Sequence, residues 1–173
     1  MPYAAANAVT VRRARTSDVS AVRRLLDPYV SEGILLDKAT VTLYEAIQEF
    51  WVAERDVDAS VVACGALHVM WEDLAEVRTL AVDPAFKGTG IGHHLLDKLL
   101  QTARWLGVRR VFCLTFEVDF FSKHGFVEIG ETPVDGEVYT ELLRSYDEGV
   151  AEFLGLERVK PNTLGNSRML LHL

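Results

Sequence analysis

Residues 77–92 read VRTLAVDPAFKGTGIG. An apolar run meets a glycine-rich turn, and the turn opens into a segment with helical spacing. Backbone N–H groups in such a turn point into one concavity, and the positive end of the following helix adds to their field. The chemistry that fits is the cradling of a pyrophosphate. Residue order narrows the choice. A P-loop needs Lys and then Ser or Thr after its last glycine, and neither pair follows here. A dinucleotide fingerprint needs Gly-x-Gly-x-x-Gly; counted from Gly88 and Gly90, the third position is His93.

What remains is Lys87-Gly88-Thr89-Gly90-Ile91-Gly92. It resembles the Arg/Gln-x-x-Gly-x-Gly/Ala signature of the GNAT acetyltransferases, with Lys87 where that family usually has Arg or Gln. Leu80-Ala81-Val82-Asp83-Pro84 resembles the end of the family's fourth strand. Phe121-Ser122-Lys123-His124-Gly125-Phe126 resembles its Tyr-x-Lys-x-Gly-Phe segment, with Phe in the Tyr place. The resemblance implies an α+β fold: one mixed, mostly antiparallel sheet flanked by helices, with the cofactor at a strand–turn–helix. It implies acetyl-CoA as cosubstrate. Leu80, Ala81, Val82, Lys87, Gly88, Thr89, Gly90, Ile91, Gly92 and His93 would hold it, with Phe121 and Lys123. A glycine-rich connection in some other α/β protein is the competing reading.

The elements that must position this turn follow from periodicity. Residues 9–14 (VTVRRA) predict a strand. Thr16, Ser17 and Asp18 are N-cap candidates for a helix carrying Val19, Val22, Leu25, Leu26 and Tyr29, with Pro28 as an early end and Gly33 as the latest. A short helix is expected near 43–47. Strands are expected at 50–53, 61–69 and 75–82, with the acidic stretch 54–58 as a turn and antiparallel pairing. Ile91, Leu95, Leu99, Ala103 and Leu106 form an apolar stripe on the next helix, which Gly107 ends. Residues 111–116 predict a strand parallel to its predecessor, because a helix connects them. A short helix at 118–124, a strand at 126–129, an amphipathic segment at 132–146 and a last strand at 168–173 complete the order.

The chain has 173 residues, nearly half of them apolar, which suits a single domain. The first 7 residues predict a mobile tail. No apolar run is long enough to span a bilayer, and residues 1–10 lack the pattern of a signal peptide. Cys64 and Cys113 lie in separate apolar runs and predict buried thiols of a cytoplasmic protein. The histidines share no ligand spacing, so no metal is expected. A net charge of −7 argues against nucleic acid as a partner. The expected partner is a small amino acid; a homodimer is left open.

The tail narrows the substrate by resemblance. Asn166-Ser167-Arg168-Met169-Leu170-Leu171 is similar to the final strand of bacterial N-acetylglutamate synthases. Phe112-Cys113-Leu114-Thr115 is similar to their Phe-x-Leu-Ser/Thr strand, and Leu35-Leu36-Asp37-Lys38 to their substrate loop. The resemblance extends over nearly the whole chain and includes the short stand-alone amino-acid acetyltransferases of actinobacteria. The amino-acid-kinase-like domain of most bacterial relatives is missing from this chain. The resemblance makes Lys38, Arg78, Asn166, Ser167 and Arg168 substrate contacts, and Thr115 a proton relay.

Acetyl transfer to an amine needs the amine neutral, hence a general base. Glu76 and Arg78 share strand parity with Leu80 and Val82, so they are expected on one face. Glu76 would face an ammonium and Arg78 would clamp a carboxylate at two points. A solvated cross-strand pair is the competing reading for Glu76 and Arg78, an ordinary surface lysine for Lys38, and strand packing for Thr115. The expected function is acetylation of the α-amine of L-glutamate or L-glutamine, towards arginine. The alternatives are a GNAT enzyme for another amine and a non-catalytic acyl-CoA sensor.

Overall fold

The computed structural model describes residues 8–155 and 166–173, so the expected tail at 1–7 lies outside the described residues. Its strands form a 7-stranded sheet in the order β1-β2-β3-β4-β5-β7-β6. The strands are β1 (Val9–Arg13), β2 (Phe50–Arg55), β3 (Val61–Trp71), β4 (Leu74–Val82), β5 (Arg110–Thr115), β6 (Val127–Glu128) and β7 (Ser167–His172). The helices are α1 (Val19–Ser31), α2 (Thr40–Glu45), α3 (Ile91–Leu106), α4 (Val118–Ser122), α5 (Gly136–Leu142) and α6 (Glu148–Leu154). By compactness the chain divides into two units.

The first unit holds residues up to Leu67 together with Thr79–Thr102. Here β1 pairs antiparallel with β2, and β2 with β3. The apolar stripe of α1 (Val19, Val22, Leu25, Leu26) packs with Leu43, Phe50, Val52, Cys64 and Ala81. Ile91 and Leu95 of α3 pack with Ala53, Val62, Ala63 and Leu80. Two local details differ from expectation. Asp18 stands at the N-cap of α1, but its side chain bonds no N–H of that helix. It ends a 3-10 turn (Thr16–Asp18), accepts from the Arg15 N–H at 2.7 Å, and pairs with the Arg12 guanidinium at 2.8 Å. Glu54 and Arg55 stay in β2 rather than entering the turn, because Arg12 also binds Glu54, at 2.6 Å. Pro28 is accommodated inside α1, which ends at Ser31, ahead of Gly33 at φ +72°.

The second unit holds His68–Arg78 and the residues from Ala103 onward. The β4–β5 pairing is parallel, as the connecting helix requires. The last strand, β7, lies between β5 and β6 and is antiparallel to both. Met70, Leu74, Phe112, Leu142, Phe153 and Leu170 form the core, with the Phe112 and Phe153 rings edge to face at 5.0 Å. One element went unpredicted. Residues 132–146 were expected as one amphipathic segment. Instead α5 is capped by Asp135 and a separate helix, α6, by Asp147; each carboxylate accepts an N–H of the first turn at 3.0 Å. Gly155 at φ +72° closes α6.

The sheet is packed without slack at Gly65. A Cβ there would lie 2.9 Å from Leu80 Cδ1 and 3.1 Å from the Cδ1 of buried Leu99. Gly65→Val is therefore expected to destabilise the protein by about 1–3 kcal/mol, read as a lowered midpoint in urea with an unchanged slope.

Candidate functional site

The glycine turn has the backbone that pyrophosphate chemistry requires. Gly88 and Gly90 sit at φ +76° and +87°, where side chains other than glycine are rare. A Cβ on either would meet nothing within 4 Å, so the turn stands open. Thr89 braces it by donating to the Phe86 carbonyl at 2.5 Å. The Gly90 carbonyl accepts the first helical bond, from His94. The N–H groups of Ile91, Gly92 and His93 belong to the first turn of α3, which has no intrahelical acceptors to offer them. Lys87 is exposed, with Nζ 5.1 Å from the Tyr29 ring centre, and the Tyr29 hydroxyl donates to the Val82 carbonyl at 2.5 Å. The residues present therefore fit a diphosphate: open N–H groups, a helix start and a lysine.

In the second unit, Glu76 and Arg78 form a close ion pair. They are not a solvated pair: their side chains are 8% and 10% exposed. Arg78 donates from Nε at 3.1 Å and from Nη2 at 2.7 Å, both to Glu76 Oε2. A second carboxylate, which sequence reasoning missed, faces them. Asp147 takes Nη1 of Arg78 at 2.8 Å on Oδ2 and Nη2 at 2.7 Å on Oδ1. His68 Nε2 stands 3.9 Å from Asp147 Oδ2. The first turn of α6 approaches so closely that a Cβ on Gly149 would be 2.4 Å from Arg78 Nη2 and 2.5 Å from Glu76 Oε2. The signal for Asp147 was in the sequence: an Asp before a short apolar helix that a glycine terminates.

This geometry gives Arg78 partners within the chain. Nε–H, one Nη1–H and both Nη2–H groups are engaged, so the two-point clamp is already taken by Glu76 and Asp147. Glu76 and Arg78 lie together on β4, as their parity predicts, but that parity does not run on to Leu80. Thr79 sits at φ +58°, a rare state for a β-branched residue, and the alternation breaks there. Leu80 packs with Ile91 and Leu95 of α3, whereas Glu76 and Arg78 lie against Gly149 of α6.

The other expected residues scatter. Phe112 pairs in register with Glu76, and Thr115 with Ser167. Alternation therefore turns Thr115 and Ser167 away from the Glu76 side. Thr115 is buried, and its oxygen accepts the Glu117 N–H at 2.8 Å. Arg168 is committed elsewhere: its guanidinium donates to the Phe153 carbonyl and lies 5.7 Å from the Phe112 ring centre. Asn166 precedes β7 and is half-buried. Lys38 follows α1, and its carbonyl accepts from Arg23. Phe121 is buried edge-on to Phe126, while Lys123 is exposed. Cys64 and Cys113 are both buried free thiols; burial pushes Cys64 up to about 12, and burial, then the Glu76 charge, raises Cys113.

Burial opposes ionisation of Asp147, but the hydrogen bond and charge of Arg78 outweigh it and hold the carboxyl well below its usual range. A depressed folded value means stability that is present above the unfolded value of about 3.9 and lost as pH falls below it. Asp147→Asn should cost on the order of 2 kcal/mol at pH 7. The gap to wild type should close as pH drops below about 4, followed by urea unfolding across that range.

With this geometry in hand, the likenesses to known proteins are consistent. The model of the acetyltransferase (GNAT) domain matches residues 46–128. An amino-acid acetyltransferase of Mycobacterium tuberculosis is 65% identical over 162 residues, covering 93% of this chain and 92% of that protein. The crystal structure of Rv2747 from Mycobacterium tuberculosis, in complex with CoA, matches with a TM-score of 0.91 at 64% identity, over 95% of this chain and 99% of that one. N-acetylglutamate synthase from Neisseria gonorrhoeae, complexed with coenzyme A and N-acetyl-glutamate, shares the fold with a TM-score of 0.75 at 24% identity, over 96% of this chain and 35% of that one. An acetyltransferase domain match and a relative of nearly equal length, set beside the open glycine turn, establish that this chain belongs to the GNAT family of acetyltransferases.

Proposed function

We propose that this protein is an amino-acid N-acetyltransferase. It moves an acetyl group from acetyl-CoA to the α-amine of L-glutamate or L-glutamine, the first step towards arginine. The observation that carries the reading is the 65% identity to a protein of nearly the same length that is named an amino-acid acetyltransferase. Acetyl-CoA supplies the activated acyl group as a thioester. Lys87 and the N–H groups from Gly88 to Gly92 hold its pyrophosphate.

Glu76 is the proposed base. Arg78 occupies Oε2 twice, and Oε1 accepts no hydrogen bond among the described residues. Oε1 can therefore take the proton that a free amino acid must lose. Thr115 faces away from the Glu76 side of β5, so it is given no part in the departure of the thiolate. A thiol with a value of roughly 8.5 needs little help.

Incubation with acetyl-CoA and each amino acid in turn, read as thiol release, tests the reading. Glutamate or glutamine should give release, and Glu76→Gln should lower kcat on the order of a hundredfold and remove the acidic limb of the pH–rate profile. CoA binding without release would support an acyl-CoA sensor; release with other amines alone would support a different acetyltransferase. Gly90→Asp should abolish CoA binding in calorimetry while leaving the melting curve near wild type. The Cβ has room, and Asp is among the residues that tolerate positive φ, but its charge repels phosphate.

A further inference from the structure

We infer that Asp147 is a positioning residue for Glu76: by taking half of the Arg78 guanidinium, it sets the orientation of the carboxylate that accepts the substrate proton and that carboxylate's share of the cation. The inference rests on the acetyltransferase reading of the site.

Three observations carry it. First, the guanidinium is divided. Nη2 bonds both Glu76 Oε2 and Asp147 Oδ1, so the two carboxylates compete for one cation. A base paired alone with an arginine is a poor base, because the cation favours its charged form. A second carboxylate offsets that. Second, Asp147 is itself fixed. It caps α6 through the Val150 N–H at 3.0 Å, and its own N–H donates to Ser145 Oγ at 3.1 Å. Third, Gly149 lets the helix start lie against the pair, where any Cβ would collide with Arg78 and Glu76. A helix start this close, with glycine at the contact and aspartate at the cap, delivers the second carboxylate at hydrogen-bond distance.

Among the described residues, charged or titratable groups on the neighbouring elements include His68 on β3, Cys113 on β5, Arg168 on β7, and Glu148 and Glu152 on α6. His68 lies beside Asp147, and Cys113 feels the Glu76 charge. Arg168 lies over Phe112, the register partner of Glu76.

The test substitutes Asp147 by Asn, which keeps a good N-cap and removes only the charge. Asp147→Ser, a smaller residue that also caps, is measured in parallel. The Glu76 carboxyl is followed by NMR titration in the substrate-free protein, and kcat and KM by thiol release. A His68→Gln background removes the neighbouring imidazole from the titration. With the negative charge gone and Arg78 wholly available, the Glu76 midpoint measured in the variant should fall below that of wild type. The acidic limb of kcat/KM should move with it, and kcat should fall on the order of tenfold as the base weakens. KM for acetyl-CoA should not change, and Asp147→Glu should restore part of the loss. A Glu76 titration that stays in place in both folded variants overturns the role of Asp147. The NMR readout needs no turnover, so a shifted Glu76 without any turnover in wild type overturns the acetyltransferase reading alone.

Discussion

A guanidinium that is 10% exposed cannot stand alone, and Arg78 has two carboxylates about it. Leaving a buried charge unpaired costs several kcal/mol, so this ion group dictates the structure around it. Strand β4 must present Glu76 and Arg78 two residues apart. Helix α6 must begin where Asp147 reaches both Nη atoms. Position 149 must lack a side chain. One interaction thus ties a strand, a helix start and a glycine that are about 70 residues apart in sequence.

The strand itself departs from regularity just after this group. Holding a β-branched residue at φ +58° costs on the order of 1–3 kcal/mol, which the surrounding packing must offset. What the departure accomplishes is local. Glu76 and Arg78 stay with α6, while Leu80 and Ala81 pack into apolar clusters with α3 and α1. The Thr79 carbonyl, turned by the irregular φ, lies 3.5 Å from the buried Cys64 thiol.

Much of this was legible in the residues. The glycine turn, the parallel β4–β5 pair and the α1 and α3 stripes all follow from short-range patterns: turn chemistry, a helical connection and period 3.6. What was not legible depends on long-range charge. Arg12 keeps Glu54 in a strand and takes up the Asp18 carboxylate, which stands at the N-cap of α1 without bonding its N–H groups. Arg78 looked like a ligand for substrate because its second partner lies 69 positions away. Thr79 gave no sign of its φ, since threonine is an ordinary strand residue. Helix α6 was missed because 7 residues are too few to show a stripe, although its Asp cap and terminal glycine were both in view.

Helix α6 explains the fate of Arg168 as well. So short a helix has little stability of its own and depends on its ends and its packing. Its N-terminus is held by Asp147 and Arg78, and near its C-terminus the Phe153 carbonyl accepts from both Arg168 and Thr132. A negative cap at the start and a guanidinium at the end also suit the helix dipole. Burial disfavours the charged Arg168. Its Nε has no partner among the described residues, so the guanidinium is retained for the carbonyl it meets. Two arginines that resemble substrate contacts thus each hold one end of this helix. The group that results, two carboxylates around one guanidinium, carries a net charge of −1. That sign attracts a cation and repels an anion close to the pair.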